Sequence, residues 1–164
     1  MRVREGRSDD LPRLLEIYNH YVEHTPITFD IEPVALETRR AWLDAFEATG
    51  PHRILVAETH GRVGGYACSG RFRPKAAYAR SVEMSIYLDP DDCGAGVGTE
   101  LYGRLIEALE AEPTTHRALA GITLPNEASI ALHQRFGFKR VATFSDVGFK
   151  FGRYWDVAWF ERAL

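Results

Sequence analysis

The chain is 164 residues long, 45% hydrophobic and 26% charged, with a formal net charge of −3. That length and apolar share can build one core without disulfide or metal staples, and the mild acidity gives no global pull toward nucleic acid or an anionic membrane. A disordered tail, a disulfide scaffold and a polyanion coat are therefore excluded, which leaves a compact enzyme or binding domain.

Residues 2–5 read as a first strand. Ser8, Asp9 and Asp10 then cap an amphipathic helix with Leu11, Leu14, Leu15 and Tyr18 on one face and Pro12 in its first turn. It runs to about His24 and stops at Thr25-Pro26. A second helix is expected over residues 33–49, with Leu36, Arg40, Leu43 and Phe46 at helical spacing and Gly50-Pro51 as its stop. The period then changes. Residues 53–58 and 63–71 read as a hairpin turned at His60-Gly61, and residues 72–77 as a loop. Residues 81–88 alternate Val82, Met84, Ile86 and Leu88 on one face with Glu83, Ser85 and Tyr87 on the other, until Asp89-Pro90 ends the strand. The loop Gly94-Ala95-Gly96-Val97-Gly98 leads into a helix over residues 99–111 whose apolar face is Leu101, Leu105, Ile106 and Leu109. A strand at 119–124 follows, then a short helix at 126–136 closed by Gly137. Two strands at 140–147 and 155–160, with a turn over residues 148–152, complete the chain. The order βαα-βββ-αβ-αββ is that of a single α/β domain, residues 1–164, with a mixed central sheet flanked by helices on both sides.

The two cysteines, Cys68 and Cys93, form no Cys-x-x-Cys pair, so neither a zinc site nor a disulfide is expected. Free thiols suit a reducing cytoplasm. The charged start Met1-Arg2-Val3-Arg4-Glu5 has no apolar stretch of the signal-peptide kind, and no apolar run approaches the roughly 20 residues of a membrane span.

The glycine loop carries the first chemical signal. It joins a strand to a helix, where free N–H groups and the helix dipole favour a phosphate, and glycine allows positive φ and close approach. It lacks the Gly-Lys-Ser/Thr of a Walker A loop, and Gly94-x-Gly96-x-Gly98 is not the dinucleotide spacing. By itself the loop reads as either an anion cradle or a flexible turn.

Three segments lift that ambiguity. Glu83-Met-Ser-Ile-Tyr-Leu-Asp-Pro, the loop Gly94 to Thr99, and Asn126-Glu-Ala-Ser129 through His133 to Gly137-Phe138 resemble the GNAT N-acetyltransferases. Tyr18-Asn19-His20-Tyr21, Thr25 to Phe29, Phe72-Arg73-x-Lys75-x-x-Tyr78 and Gly148-x-Lys150-x-Gly152-Arg153-Tyr154-Trp155-Asp156-Val157 narrow the resemblance. They look like the phosphinothricin and methionine sulfone or sulfoximine acetyltransferase group. The resemblance spans about residues 4–162. It implies acetyl-CoA as cosubstrate, with Gly94, Ala95, Gly96, Val97, Gly98 and Thr99 on its pyrophosphate. It also implies that the backbone of Ile86, Tyr87 and Leu88 pairs with the pantetheine arm, and that Asn126 and Ser129 stand beside that arm. Asn126 also reads as a plain helix N-cap. At Cys93 the group commonly has Gln or Arg, so one polar contact to phosphate is lost here and weaker cofactor binding is expected.

Glu83 is the candidate general base, because an amine acceptor arrives as an ammonium and must lose a proton before attacking a thioester. A solvated or Arg-paired glutamate is the bland alternative. His133 stands where many GNAT enzymes carry a tyrosine that protonates the leaving thiolate, and it reads equally as a packing histidine. Arg73, Lys75 and Tyr78, with Phe29, are the expected contacts of an amino-acid acceptor, the basic pair holding a carboxylate or phosphinate. Lys75 replaces the arginine common in that group and loses its bidentate fork. The expected function is transfer of acetyl from acetyl-CoA to the α-amine of a small amino acid or glutamate analogue by direct attack, without a metal. The alternatives are a different amine (a protein N-terminus, a polyamine, an aminoglycoside) and a non-catalytic acyl-CoA sensor. The resemblance also implies a homodimer.

Overall fold

A computed structural model describes residues 1–164. Seven strands form one sheet in the order β1 (Arg2–Glu5), β2 (Arg53–Thr59), β3 (Arg62–Arg71), β4 (Ser81–Leu88), β5 (Arg117–Thr123), β7 (Arg153–Ala163), β6 (Lys139–Lys150). All neighbours run antiparallel except β4 and β5. The helices are α1 (Leu11–His24), α2 (Leu36–Leu43), α3 (Val97–Glu110) and α4 (Glu127–Arg135). This is the mixed α/β order that the periodicity predicts.

The strand alternation feeds two cores. On β2, Leu55 and Ala57 face a core built with Leu101, Leu105 and Leu109 of α3, while Ile54 and Val56 face one built with Leu11, Leu14 and Ile17 of α1 and Leu43 of α2. Helices therefore cover both faces of the sheet. Ile130 and Leu132 of α4 pack on the α3 side.

One irregularity matters for function. The parallel pair β4/β5 is joined only at Ser81↔Arg117, Val82↔Ala118 and Glu83↔Leu119. Beyond Glu83, β4 continues to Leu88 and β5 to Thr123 without pairing, so the middle of the sheet opens as a wedge.

Two expectations need correction. The second helix is 8 residues, Leu36–Leu43, not residues 33–49. Ala35 is extended, and past Asp44 the chain tightens into turns, with Ala45 N–H on Trp42 O and Phe46 N–H on Leu43 O. Its buried stripe includes Arg39 and Leu43, and Arg40 points to solvent. The last hairpin is also longer than expected. Its turn is only Phe151-Gly152, both at positive φ, and Gly148 lies inside β6. Gly148 is small for another reason: a Cβ there would collide with the Phe29 ring.

The connection between α1 and α2, residues 25–35, is tied down at three points. Asn19 Nδ2 donates to Val34 O at 3.1 Å and its Oδ1 accepts from Val34 N at 2.8 Å. Tyr18 OH bonds Thr28 Oγ1 at 2.7 Å and donates to Asp30 Oδ2 at 2.6 Å. Lys150 Nζ donates to Thr28 O at 2.8 Å from the far hairpin. Tyr18 and Asn19 of the Tyr-Asn-His-Tyr segment thus hold this connection over the sheet, while the Tyr21 hydroxyl donates to Leu88 O on β4.

Candidate active site

The glycine loop has the backbone of an anion cradle. Gly94 and Gly96 sit at φ +82° and +81°, where a side chain is strained. Gly96 is the N-cap of α3 and no side chain caps it. The first helical bond is Glu100 N–H to Gly96 O, so the N–H groups of Val97, Gly98 and Thr99 have no partner inside the helix. Gly98 answers to packing instead: a Cβ there would lie 3.2 Å from Leu88 Cδ1, the end of a flexible side chain that has to give by a few tenths of an ångström. Cys93 is exposed at the loop entrance, and its thiol donates to Asp89 O at 3.5 Å. Burial raises its pKa, which Tyr21 partly counters, so it is no activated thiolate.

The wedge between β4 and β5 supplies the next donors. Asp89 N–H bonds Gly64 O on β3, at 2.9 Å. Antiparallel alternation then turns the backbone groups of Leu88 and Ile86 away from β3, into the wedge. Tyr87 is the opposite case: its backbone faces β3, and its side chain reaches the α1 side. Leu88 O already accepts from Tyr21 OH at 2.7 Å. Asn126, Ser129 and His133 line the other wall. Asn126 Oδ1 accepts from Ser129 N at 3.1 Å, so it is an N-cap as well as a wall residue.

His133 is 3% exposed. Its Nδ1 lies 2.8 Å from Ser129 O, a carbonyl that can only accept, so Nδ1 carries the proton. Nε2 faces Tyr102 OH at 2.9 Å and accepts from it. Burial depresses the imidazole pKa, which keeps the ring neutral. Both nitrogens are occupied within the chain.

On the α1 side the wedge opens into a cavity of about 380 Å³ whose walls include Phe29, Glu83, Thr123, Val157 and Trp159. Ser85, Tyr87, Gly121 and Thr123 line both the wedge and this cavity, so the two adjoin at the sheet. Glu83 is half-buried in it. Burial raises its pKa above the ordinary carboxylate range, and Arg73 pulls it back in part.

The structure therefore brings Glu83, Phe29, Ile86, Asn126 and Ser129 onto the walls of these two adjoining spaces, with Leu88 and the glycine loop just beyond, at the end of β4. Arg73 acts on Glu83 from the rim, with its guanidinium 4.8 Å from the Phe72 ring. Lys75 and Tyr78 are exposed on the same short turn and do not line the cavity; Tyr78 reaches it only through Phe72, which packs edge-on to Trp159. Thr123, Val157 and Trp159 escaped the sequence reading because they belong to strands whose register, not their spacing, brings them here.

The arrangement couples an anion cradle, an unpaired strand edge and a carboxylate across a sheet. Comparison with known proteins places the chain in a family. The family model described as an acetyltransferase (GNAT) domain matches residues 3–159. The chain is 52% identical over 166 residues to the phosphinothricin N-acetyltransferase of Streptomyces coelicolor, covering all of this chain and 96% of that one. It is 37% identical to the L-methionine sulfoximine/L-methionine sulfone acetyltransferase of Pseudomonas paraeruginosa, over 99% of this chain and 94% of the relative. Among solved structures it superposes with a TM-score of 0.94 on the phosphinothricin acetyltransferase of Sinorhizobium meliloti in complex with AcCoA, at 31% identity, covering 99% of this chain and 88% of that one.

Proposed function

Since the chain belongs to the GNAT acetyltransferase family, we propose that its acceptor is the α-amine of a small amino acid or glutamate analogue, of the phosphinothricin, methionine sulfone or methionine sulfoximine type. The observation that carries this reading is Glu83, half-buried in a cavity that opens onto the wedge from the face opposite α3. The cosubstrate fits the residues present: the free N–H groups of Val97, Gly98 and Thr99 suit its pyrophosphate, and the backbone of Ile86 with the Leu88 N–H, unpaired with β5, suits the amide-bearing pantetheine arm. When bound, its thioester supplies the acetyl group. Glu83 takes the proton of the acceptor ammonium, directly or through water, and the Leu88 N–H, free in the wedge, would supply a donor to the thioester carbonyl. Attack is direct, and no residue is acylated.

In this scheme His133 positions rather than donates. Its one proton is engaged by Ser129 O, and a coenzyme A thiolate leaves without much acid help. His133→Gln is expected to lower kcat by less than about tenfold, well short of the 10²–10⁴ of a true acid, with no change in the basic limb of the pH profile. Steady-state kinetics from pH 6 to 9 check this, and loss of the basic limb would make it the acid.

Phe29 forms the acceptor wall and Gly148 lets it sit there. Gly148→Ala drives a methyl group into the ring. The acceptor KM is expected to rise about tenfold, the equivalent of the 1–3 kcal/mol of an overpacked contact, while the acetyl-CoA KM stays fixed. Two-substrate kinetics separate the two. Arg73 meets the acceptor carboxylate at the rim, with Lys75 and Tyr78 beyond it.

The β6–β7 hairpin leaves Val147, Phe149, Phe151 and Tyr154 more than half exposed, which supports a homodimer through that face. The free thiols Cys68 and Cys93 support a cytoplasmic location. Thiol release on mixing with acetyl-CoA and phosphinothricin, methionine sulfone, methionine sulfoximine or common amino acids tests the reading. Turnover of a peptide N-terminus or a polyamine, with none on amino acids, would overturn the acceptor. Binding of acetyl-CoA without turnover on any amine would leave a sensor.

A further inference from the structure

Beneath α1 and α2 lies a second cavity, of about 290 Å³, that the acetyl-transfer scheme does not use. Its wall contains Arg39, only 6% exposed. The guanidinium lies 3.4 Å from the centre of the Trp42 ring and 4.2 Å from that of Tyr18. Nη2 donates to Tyr66 OH, Nε is buried without a partner, and no carboxylate pairs with the group. A buried charge is normally paired, because its desolvation costs several kcal/mol. Two aromatic faces offset part of that cost but use none of the N–H donors. Arg39 therefore keeps unspent donors and lacks an ion-pair partner, against an open cavity.

The position of the cavity says what could use them. Ser85 and Tyr87 line it and also line the cavity of Glu83. Glu83 and Ser85 share a face of β4 two residues apart, about 7 Å along a strand. A glutamate-sized molecule with its amine at Glu83 can extend across Ser85 toward Arg39. Asp30, held by Tyr18 OH, stands at the exposed mouth of the same cavity. Its negative charge disfavours a dianion and leaves room for one negative charge.

We propose that this cavity is the subsite for the acceptor's distal group, a singly charged carboxylate or phosphinate, with Arg39 as its hydrogen-bond donor. The proposal rests on the amino-acid reading above. It divides the anion recognition: Arg73 serves the α-carboxylate at the rim, and Arg39 selects the far end.

The test uses calorimetry on the protein saturated with free coenzyme A, which permits binding without transfer. The probes are phosphinothricin and L-glutamate, against glutamine and methionine as neutral counterparts. The wild type is expected to bind the anionic pair at least tenfold more tightly. Arg39→Met, which keeps the stem packed between the rings, should erase that difference while leaving the neutral pair within about twofold, and Arg39→Lys should restore part of it. Equal weakening of all four probes in Arg39→Met, or no preference in the wild type, overturns the proposal. Should Arg39→Met not fold, Tyr66→Phe removes the bond that orients Nη2 and must weaken only the anionic pair. A separate arm titrates butyrate into coenzyme-free protein and follows the Trp42 indole N–H by NMR. A shift in the wild type that Arg39→Met abolishes supports the site even if coenzyme A fails to bind, a failure that would count against the acetyl-transfer reading alone. No shift in the wild type counts against Arg39.

Discussion

Glu83→Gln is expected to lower kcat/KM for the amine acceptor by about 10²–10⁴-fold, the range for loss of a positioned general base. Glutamine keeps the shape and loses the proton acceptor, so binding of acetyl-CoA should not change. The pH dependence fixes the assignment. Burial raises the Glu83 pKa above 4.5 and Arg73 only partly opposes it. The working form is the carboxylate, so the wild-type rate falls as pH drops through that raised value, and the glutamine variant loses this acidic limb. Stability moves the other way. A carboxylate whose folded pKa exceeds its unfolded value favours the fold below the unfolded pKa, and that contribution is lost as pH rises through the folded one. At neutral pH the variant should therefore be no less stable than the wild type. Full activity of Glu83→Gln at every pH would remove Glu83 from the chemistry.

The second large effect is expected at the start of α3. Gly98→Asp adds a carboxylate among the N–H groups of Val97, Gly98 and Thr99 and a Cβ 3.2 Å from Leu88 Cδ1. An acidic residue in a first helical turn ordinarily stabilises the helix. Here it would occupy the place proposed for the pyrophosphate, and two like charges about 4 Å apart near a protein surface repel by about 4 kcal/mol, on the order of 10³ in affinity. The acetyl-CoA KM should rise by that order while the Tm holds or increases. Kinetics and a thermal melt together distinguish this from misfolding; an unchanged KM would show that the cradle lies elsewhere.

The strand and helix order was legible because each element has a clean period. Leu101, Leu105, Ile106 and Leu109 mark α3, and Val82, Met84, Ile86 and Leu88 mark one face of β4, in the chain as in the fold. The glycine loop and Glu83 were legible too, since a Gly-rich strand-to-helix turn and a lone acid on a strand are local patterns. Arg39 was not. A helical arginine reads as solvated, and the short α2 turns its stripe one residue from the expected Leu36/Arg40 register. Gly148 misled for a related reason: glycine suggests a turn, whereas here it makes room for a ring from residue 29, a contact that no local rule encodes. The cavity walls on β7 stayed hidden because they depend on strand neighbours that are far apart in the chain.

The three-residue junction between β4 and β5 has a mechanical meaning of its own. Strands β1 to β4 make one mat and β5 to β7 another, and the backbone seam between them is short. Side chains supply the rest: α3 packs on β1 to β4 and shares a core with Ala120, Ile122 and Phe160, Lys150 Nζ donates to Thr28 O, and Phe72 packs edge-on to Trp159. In the proposed placement, a cosubstrate along the open edge of β4 would act as a surrogate strand that lengthens this seam. Its binding energy then adds to the cohesion between the halves by mass action. The feature that makes room for chemistry is also the weakest line in the sheet, and occupancy of the site mends it.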